Sequence, residues 1–177
     1  MTAAEQEYGG ALYELAREEG CEDAVLDGLE LARRELAAQP EYRNLLQNPA
    51  LEKAQRLALL DQAFGGGVHR YVCNFLKLLC EKSALGILPG CVKEYRARLY
   101  EARGILPVTA VSAVALSAAQ KMQLTQKLAA KTGRQILLET KVDPSLLGGM
   151  KVLYEGRELD GSVAGRFAAL RKVLTQA

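Results

Sequence analysis

The chain contains no tryptophan and one histidine, His69. Any Cys–His or Ser–His catalytic pair would have to use that single side chain. No serine sits in the Gly-x-Ser-x-Gly setting of a nucleophile elbow. Aromatics make up 6% of the residues, too few to suggest a surface for stacked bases. The formal net charge is +2, which argues against a footprint for nucleic acid or for an anionic membrane. No apolar run reaches the ~18 residues that a membrane span needs. Met1 leads directly into helical pattern, so neither a signal region nor an Arg-rich transit segment is expected. The cysteines are Cys21, Cys73, Cys80 and Cys91, and no two have the C-x-x-C spacing of zinc and redox sites. Cys73 and Cys80 lie two turns apart on one helical face, a packing spacing. Reduced core thiols fit a reducing compartment.

Nucleotide chemistry fares no better. The stretch VDPSLLGGMKVLYEGRELDGS, residues 142–162, holds four glycines. Gly156 and Gly161 have the spacing of a phosphate loop, but Ser162-Val163 stands where Lys and Ser/Thr must be. Between the glycines, Glu158 and Asp160 would repel a triphosphate. Gly65-Gly66-Gly67-Val68-His69-Arg70 follows a helical pattern rather than a strand, and Arg70 replaces the last glycine of a dinucleotide loop. Turn chemistry explains the long stretch better. Asp143-Pro144-Ser145 forms a turn, and Gly148-Gly149 re-enters a sheet. Glu155-Gly156 makes a tight hairpin, and Ser162 is an N-cap for a last helix. His69 reads as a solvated first-turn residue. Glu155, Glu158 and Asp160 alternate with Lys151 and Arg157 as a solvated strand face. No cofactor or metal is expected.

What is present is an ordinary globular mix, 49% apolar and 25% charged. Apolar residues recur at helical spacing in Ala4–Leu15, Val25–Leu36, Leu51–Leu60, Val68–Ser83 and Leu88–Ala102, with a short helix at Tyr42–Gln47. Gly20, Pro40 and Gly65-Gly66-Gly67 interrupt them. Glu94 and Arg98 form a favourable i,i+4 pair. From Ile105 the period changes. Pro107–Val111 reads as a strand, and Ser117 with Gln120 forms a capping box. Leu124 and Leu128 face a core, and Gly133 ends that helix. Ile136–Val142 and Met150–Tyr154 alternate as strands. Leu159 and Val163 lie in a third short strand, and Phe167, Leu170, Val173 and Leu174 in a last helix. The fold expected is α+β and mainly α: an N-terminal six-helix bundle, residues 1–104, then a small α+β domain with a short sheet, residues 105–177.

In this order the segments resemble the delta subunit family of F-type ATP synthases, called OSCP in mitochondria. The C-terminal likeness rests on Asp143, Leu147-Gly148-Gly149, Asp160-Gly161-Ser162-Val163, Gly165-Arg166 and Leu170. YGGALYELA, residues 8–16, resembles the family's first helix, and EKSALGILPGCVKEY, residues 81–95, its junction of fifth and sixth helices. Gly9-Gly10 departs from the Ala or charged residue commoner there. Each glycine costs ~1 kcal/mol relative to Ala. Either the first turn frays or another helix comes close.

The resemblance implies a non-catalytic stator subunit of the peripheral stalk, linking the catalytic head to the stalk so that rotor torque is coupled to ATP synthesis and proton transport. Its partners would be the amphipathic N-terminal helix of an alpha subunit and the C-terminal region of the b subunit. It would sit on the cytoplasmic face of the bacterial inner membrane, associated only through the complex. The alpha helix would lie in a groove lined by Tyr8, Ala11, Leu12 and Leu15 of the first helix and Val72, Phe75, Leu76 and Leu79 of the fifth. The alternative is a helical-bundle RNA-binding adaptor of the antitermination type, with Arg166, Arg171 and Lys172 as its basic patch.

Overall fold

A computed structural model describes residues 1–146 and 148–161. These residues form seven α-helices, a 3-10 turn and one four-stranded sheet, so the fold is α+β and mainly α. Contacts divide the chain into a unit of Met1–Leu99 and a second that begins at Tyr100.

The first unit carries α1 (Ala3–Glu18), α2 (Glu22–Ala38), α3 (Pro40–Leu46), α4 (Lys53–Phe64), α5 (Arg70–Glu81) and α6 (Leu88–Ala102, its last turn reaching into the second unit), with a 3-10 turn at Leu85–Ile87. Local chemistry sets the ends. The Thr2 hydroxyl accepts from the Glu5 amide at 3.3 Å, and the Glu5 carboxylate accepts from the Thr2 amide at 2.5 Å. This reciprocal cap opens α1. Pro40 does more than stop α2: it is the first residue of α3, where its missing N–H costs nothing. His69 is not a solvated first-turn residue. It is half-buried and caps α5, its Nδ1 accepting from the Tyr71 amide at 3.4 Å.

One apolar core joins these helices, with Val25, Leu29, Leu60, Val72, Leu76 and Leu79 fully buried. Each such side chain contributes ~1.5–3 kcal/mol by leaving water. Tyrosines fix how the helices meet. The Tyr95 hydroxyl donates to the Glu22 carbonyl at 3.0 Å, and its ring meets Tyr13 edge-on at 5.6 Å. The Tyr42 hydroxyl donates to the Leu59 carbonyl at 2.8 Å, tying α3 to α4. The glycine pair of α1 marks close approach rather than fraying. Both residues are buried, and a Cβ on Gly9 would stand 2.6 Å from the Cys91 carbonyl of α6.

The second unit contains β1 (Ile105–Ser112), α7 (Ala118–Thr132), β2 (Gln135–Val142), β3 (Met150–Tyr154) and β4 (Arg157–Asp160) in the sheet order β2-β1-β3-β4. β1 and β2 are parallel, which the α7 crossover permits, and β3 pairs antiparallel with both β1 and β4. Ser117 and Gln120 make the expected capping box, and Gly133 takes the left-handed C-terminal position at φ 69°. Leu106, Val108 and Val152 form the core beneath Leu124 and Leu128 of α7. Glu155 and Gly156 both have positive φ, 48° and 73°, the two-residue hairpin geometry that suits twisted strands. β4 contains Leu159 of the expected third strand. Val163 and the helix of Phe167, Leu170, Val173 and Leu174 lie outside the described residues.

Candidate docking site

α1 and α5 each present a stripe with the spacing i, i+3, i+4, i+7: Tyr8, Ala11, Leu12 and Leu15 on one, Tyr71, Asn74, Phe75 and Leu78 on the other. Between them runs an apolar groove of about 340 Å³ lined by these eight side chains. Leu12 and Phe75 form its floor, each 6% exposed, and Leu15 and Leu78 stand on its walls, each 39% exposed. Arg70 at the start of α5 reaches Glu19 just past the end of α1 at 3.8 Å, so the two helices run antiparallel along the groove. Arg70 also lies over the Tyr71 ring at 4.8 Å and donates to its hydroxyl at 3.1 Å.

The expectation for α5 needs correction. Val72, Leu76 and Leu79 are fully buried and fill the core, so they cannot line a groove. Tyr71, Asn74 and Leu78 line it instead, beside Phe75. The cause is that the apolar arc of α5, from Leu78 round to Cys73, is wider than one core needs, with Arg70, Asn74, Lys77 and Glu81 on the remaining face. A single core needs a stripe of ~100°, and α5 has a second one left over. The signal available in the sequence was Asn74 and Tyr71, whose polar tips mark the stripe that meets water.

The other side of α5 is held by charge. Lys77 Nζ lies 2.6 Å from Asp61 Oδ1, and that hydrogen bond holds the Asp61 carboxyl below its usual range. The Cys73 thiol donates to the same oxygen at 3.4 Å, and burial pushes the thiol up. A thiol held protonated is a packing group rather than a nucleophile.

In the second unit the motif residues shape turns. Asp143 Oδ1 accepts from the Ser145 amide at 2.9 Å and its hydroxyl at 2.6 Å, which lowers the Asp143 carboxyl's pKa. Gly148 and Gly149 have φ of 143° and 82°, and Gly161 donates to the Met150 carbonyl at 3.0 Å. These three glycines also line an apolar concavity of about 730 Å³ with Val114, Met150, Val152 and Leu159. Lys151 meets Glu158 at 2.9 Å and Asp160 at 3.8 Å across the strands. Ser162 and Arg166 lie outside the described residues, as do Arg171 and Lys172. Among the described residues there is no group of acids, histidines and cysteines able to hold a metal, and no helix long and apolar enough to cross a membrane.

An apolar groove between two amphipathic helices offers a surface of the helix-in-groove kind. The sequence matches the family described as ATP synthase delta (OSCP) subunit over residues 4–174. It is 38% identical over 160 residues to the ATP synthase subunit delta of Synechococcus elongatus, covering 90% of this chain and 89% of that one. It is 34% identical to the delta subunit of Halalkalibacterium halodurans, covering 97% and 94%, and 36% identical to that of Myxococcus xanthus, covering 96% and 94%. The fold is that of a chain in the mitochondrial ATP synthase of Toxoplasma gondii, with a TM-score of 0.76 at 23% identity, covering 99% of this chain and 98% of that one. The chain therefore belongs to the ATP synthase delta (OSCP) subunit family. Its function is that of a non-catalytic stator subunit in the peripheral stalk of an F-type ATP synthase. The RNA-binding reading receives no support from these relatives.

Proposed function

We propose that the α1–α5 groove receives the amphipathic N-terminal helix of the alpha subunit, while the second unit meets the C-terminal region of the b subunit. The first unit acts as the six-helix bundle of the head contact, and the part from residue 105 onward acts as the stalk contact. The protein works at the cytoplasmic face of the bacterial inner membrane, held there only by the complex. The observation that carries this reading is the groove itself: paired i, i+3, i+4, i+7 stripes with two leucines 39% exposed on its walls. Such a surface suits an apolar helix face.

The mechanical role follows from the arrangement. A stator link must resist torque without turning over chemically. Apolar burial supplies a grip without a preferred reaction, and its strength grows with the area covered. The apolar concavity of the second unit supports a second protein contact on the same chain. Deleting residues 105–177 tests the division. Binding of a fragment from the C-terminal end of b should vanish while binding of an alpha N-terminal peptide persists. Loss of both, with α1–α6 still folded, contradicts the assignment.

A further inference from the structure

The two walls of the groove differ in charge. Along α1, Glu7, Ala11, Glu14 and Glu18 follow at i, i+4, i+7 and i+11, one stripe around from the groove's apolar face. All four are exposed, and Ala11 itself lines the groove. Glu14 shares Arg98 of α6 with Glu94, at 3.4 and 2.9 Å. Glu7 and Glu18 have no ion pair among the described residues. The matching outer stripe of α5 is already compensated. Arg70 is held by Glu19 at 3.8 Å, Lys77 by Asp61 at 2.6 Å, and Glu81 by Lys53 at 3.1 Å. Lys82 lies one turn beyond Leu78, at the groove end where α5 stops.

We propose that the helix received by this groove carries lysine or arginine along the edge that meets α1, and that these cations fix its rotation about its own axis. This rests on the groove being the alpha-helix site. Apolar contacts alone define depth but leave rotation weakly determined, because leucines tolerate neighbouring positions. A carboxylate stripe on one wall, with a neutralised wall opposite, breaks that symmetry. Charge across a docking surface mainly sets register and excludes wrong partners. At the Leu78 end, Lys82 admits an acidic residue on the incoming helix.

The test uses the full chain and two synthetic amphipathic peptides of about twenty residues, long enough to form helix on binding. Both share the same leucine stripe. One carries lysines along a single flank, the other glutamates. Wild-type protein should bind the lysine-edged peptide about tenfold more tightly, from two exposed charge pairs gained in place of two repulsions. Raising salt should shrink the ratio. The Glu7→Lys/Glu18→Lys protein should reverse the preference, and comparing ratios across the two proteins cancels any difference in peptide helicity. Equal binding of both peptides by wild type, or an unchanged ratio in the double variant, overturns the charge inference and leaves the groove standing. Failure of both peptides to bind wild type overturns the groove reading itself.

Discussion

Leu15→Ala/Leu78→Ala is the most informative change in the groove. Both leucines are 39% exposed, so they have surface to bury when a helix arrives and little to lose before it does. Full burial of a leucine is worth ~1.5–3 kcal/mol, and two-fifths of that is ~0.6–1.2 kcal/mol for each side chain. The partner's matching surface loses contact as well. Together the double truncation should weaken binding by ~2–4 kcal/mol, a rise in Kd of about 30- to 900-fold. Titration calorimetry with an alpha N-terminal peptide measures it, with the urea midpoint as the check on folding. Leu137→Ser, at an exposed apolar position on β2, is the control and should leave Kd unchanged. A change below threefold in the double variant, on a folded protein, would refute the assignment of this groove. Phe75→Asp is a poorer probe. At 6% exposure it would push a carboxylate into the floor and confuse binding with unfolding.

Gly9→Ala should lower stability by ~1–3 kcal/mol through crowding, overriding a helix-propensity gain of ~1 kcal/mol. The new Cβ meets the Cys91 carbonyl at 2.6 Å and Glu94 Cβ at 2.9 Å. At Gly10→Ala the nearest atoms are those of the Arg98 guanidinium, at 2.5 Å, which can swing away, so its cost should be smaller. Equal urea midpoints for wild type and Gly9→Ala would contradict the close α1–α6 approach. Alkaline stability is a further test. Burial pushes the Cys91 thiol from 9.0 up to about 11, and burial pushes the Tyr95 hydroxyl up too. The unfolded chain then loses its protons first. Stability holds below pH 9 and falls as pH rises toward 11. Cys91→Ala should make that decline shallower in urea titrations, and an identical slope would rule Cys91 out as a cause.

Much of the fold could be read from periodicity. α7 carried a complete signature, Ser117 and Gln120 at one end and Gly133 at the other, and β3 placed Met150, Val152 and Tyr154 on one face before the Glu155-Gly156 turn, despite an apolar Leu153 between them. The α1 half of the groove came from the family resemblance: Tyr8, Ala11, Leu12 and Leu15 line it, while Gly9, Tyr13 and Ala16 beside them face the core. The α5 half was not legible. With an apolar arc wider than one core needs, hydrophobicity alone could not say which stripe the core would take. Packing decided it, sealing Val72, Leu76 and Leu79 and leaving Tyr71, Phe75 and Leu78 on the groove. Pro40 read as a stop but also starts the next helix, since a proline closes one helix and is well suited to the first position of another. The role of Gly9 depended on a carbonyl of α6 that is remote in sequence, which no local pattern could reveal.

Everything proposed for the first unit requires that the groove between α1 and α5 hold the alpha subunit's N-terminal helix in the working enzyme. Asn74 is exposed and lines that groove, so it tolerates a photoreactive replacement. In assembled ATP synthase, light-induced cross-links from position 74 should map by mass spectrometry to the N-terminal segment of an alpha subunit. Cross-links that map instead to the b subunit, or to another part of this chain, would contradict the proposed docking.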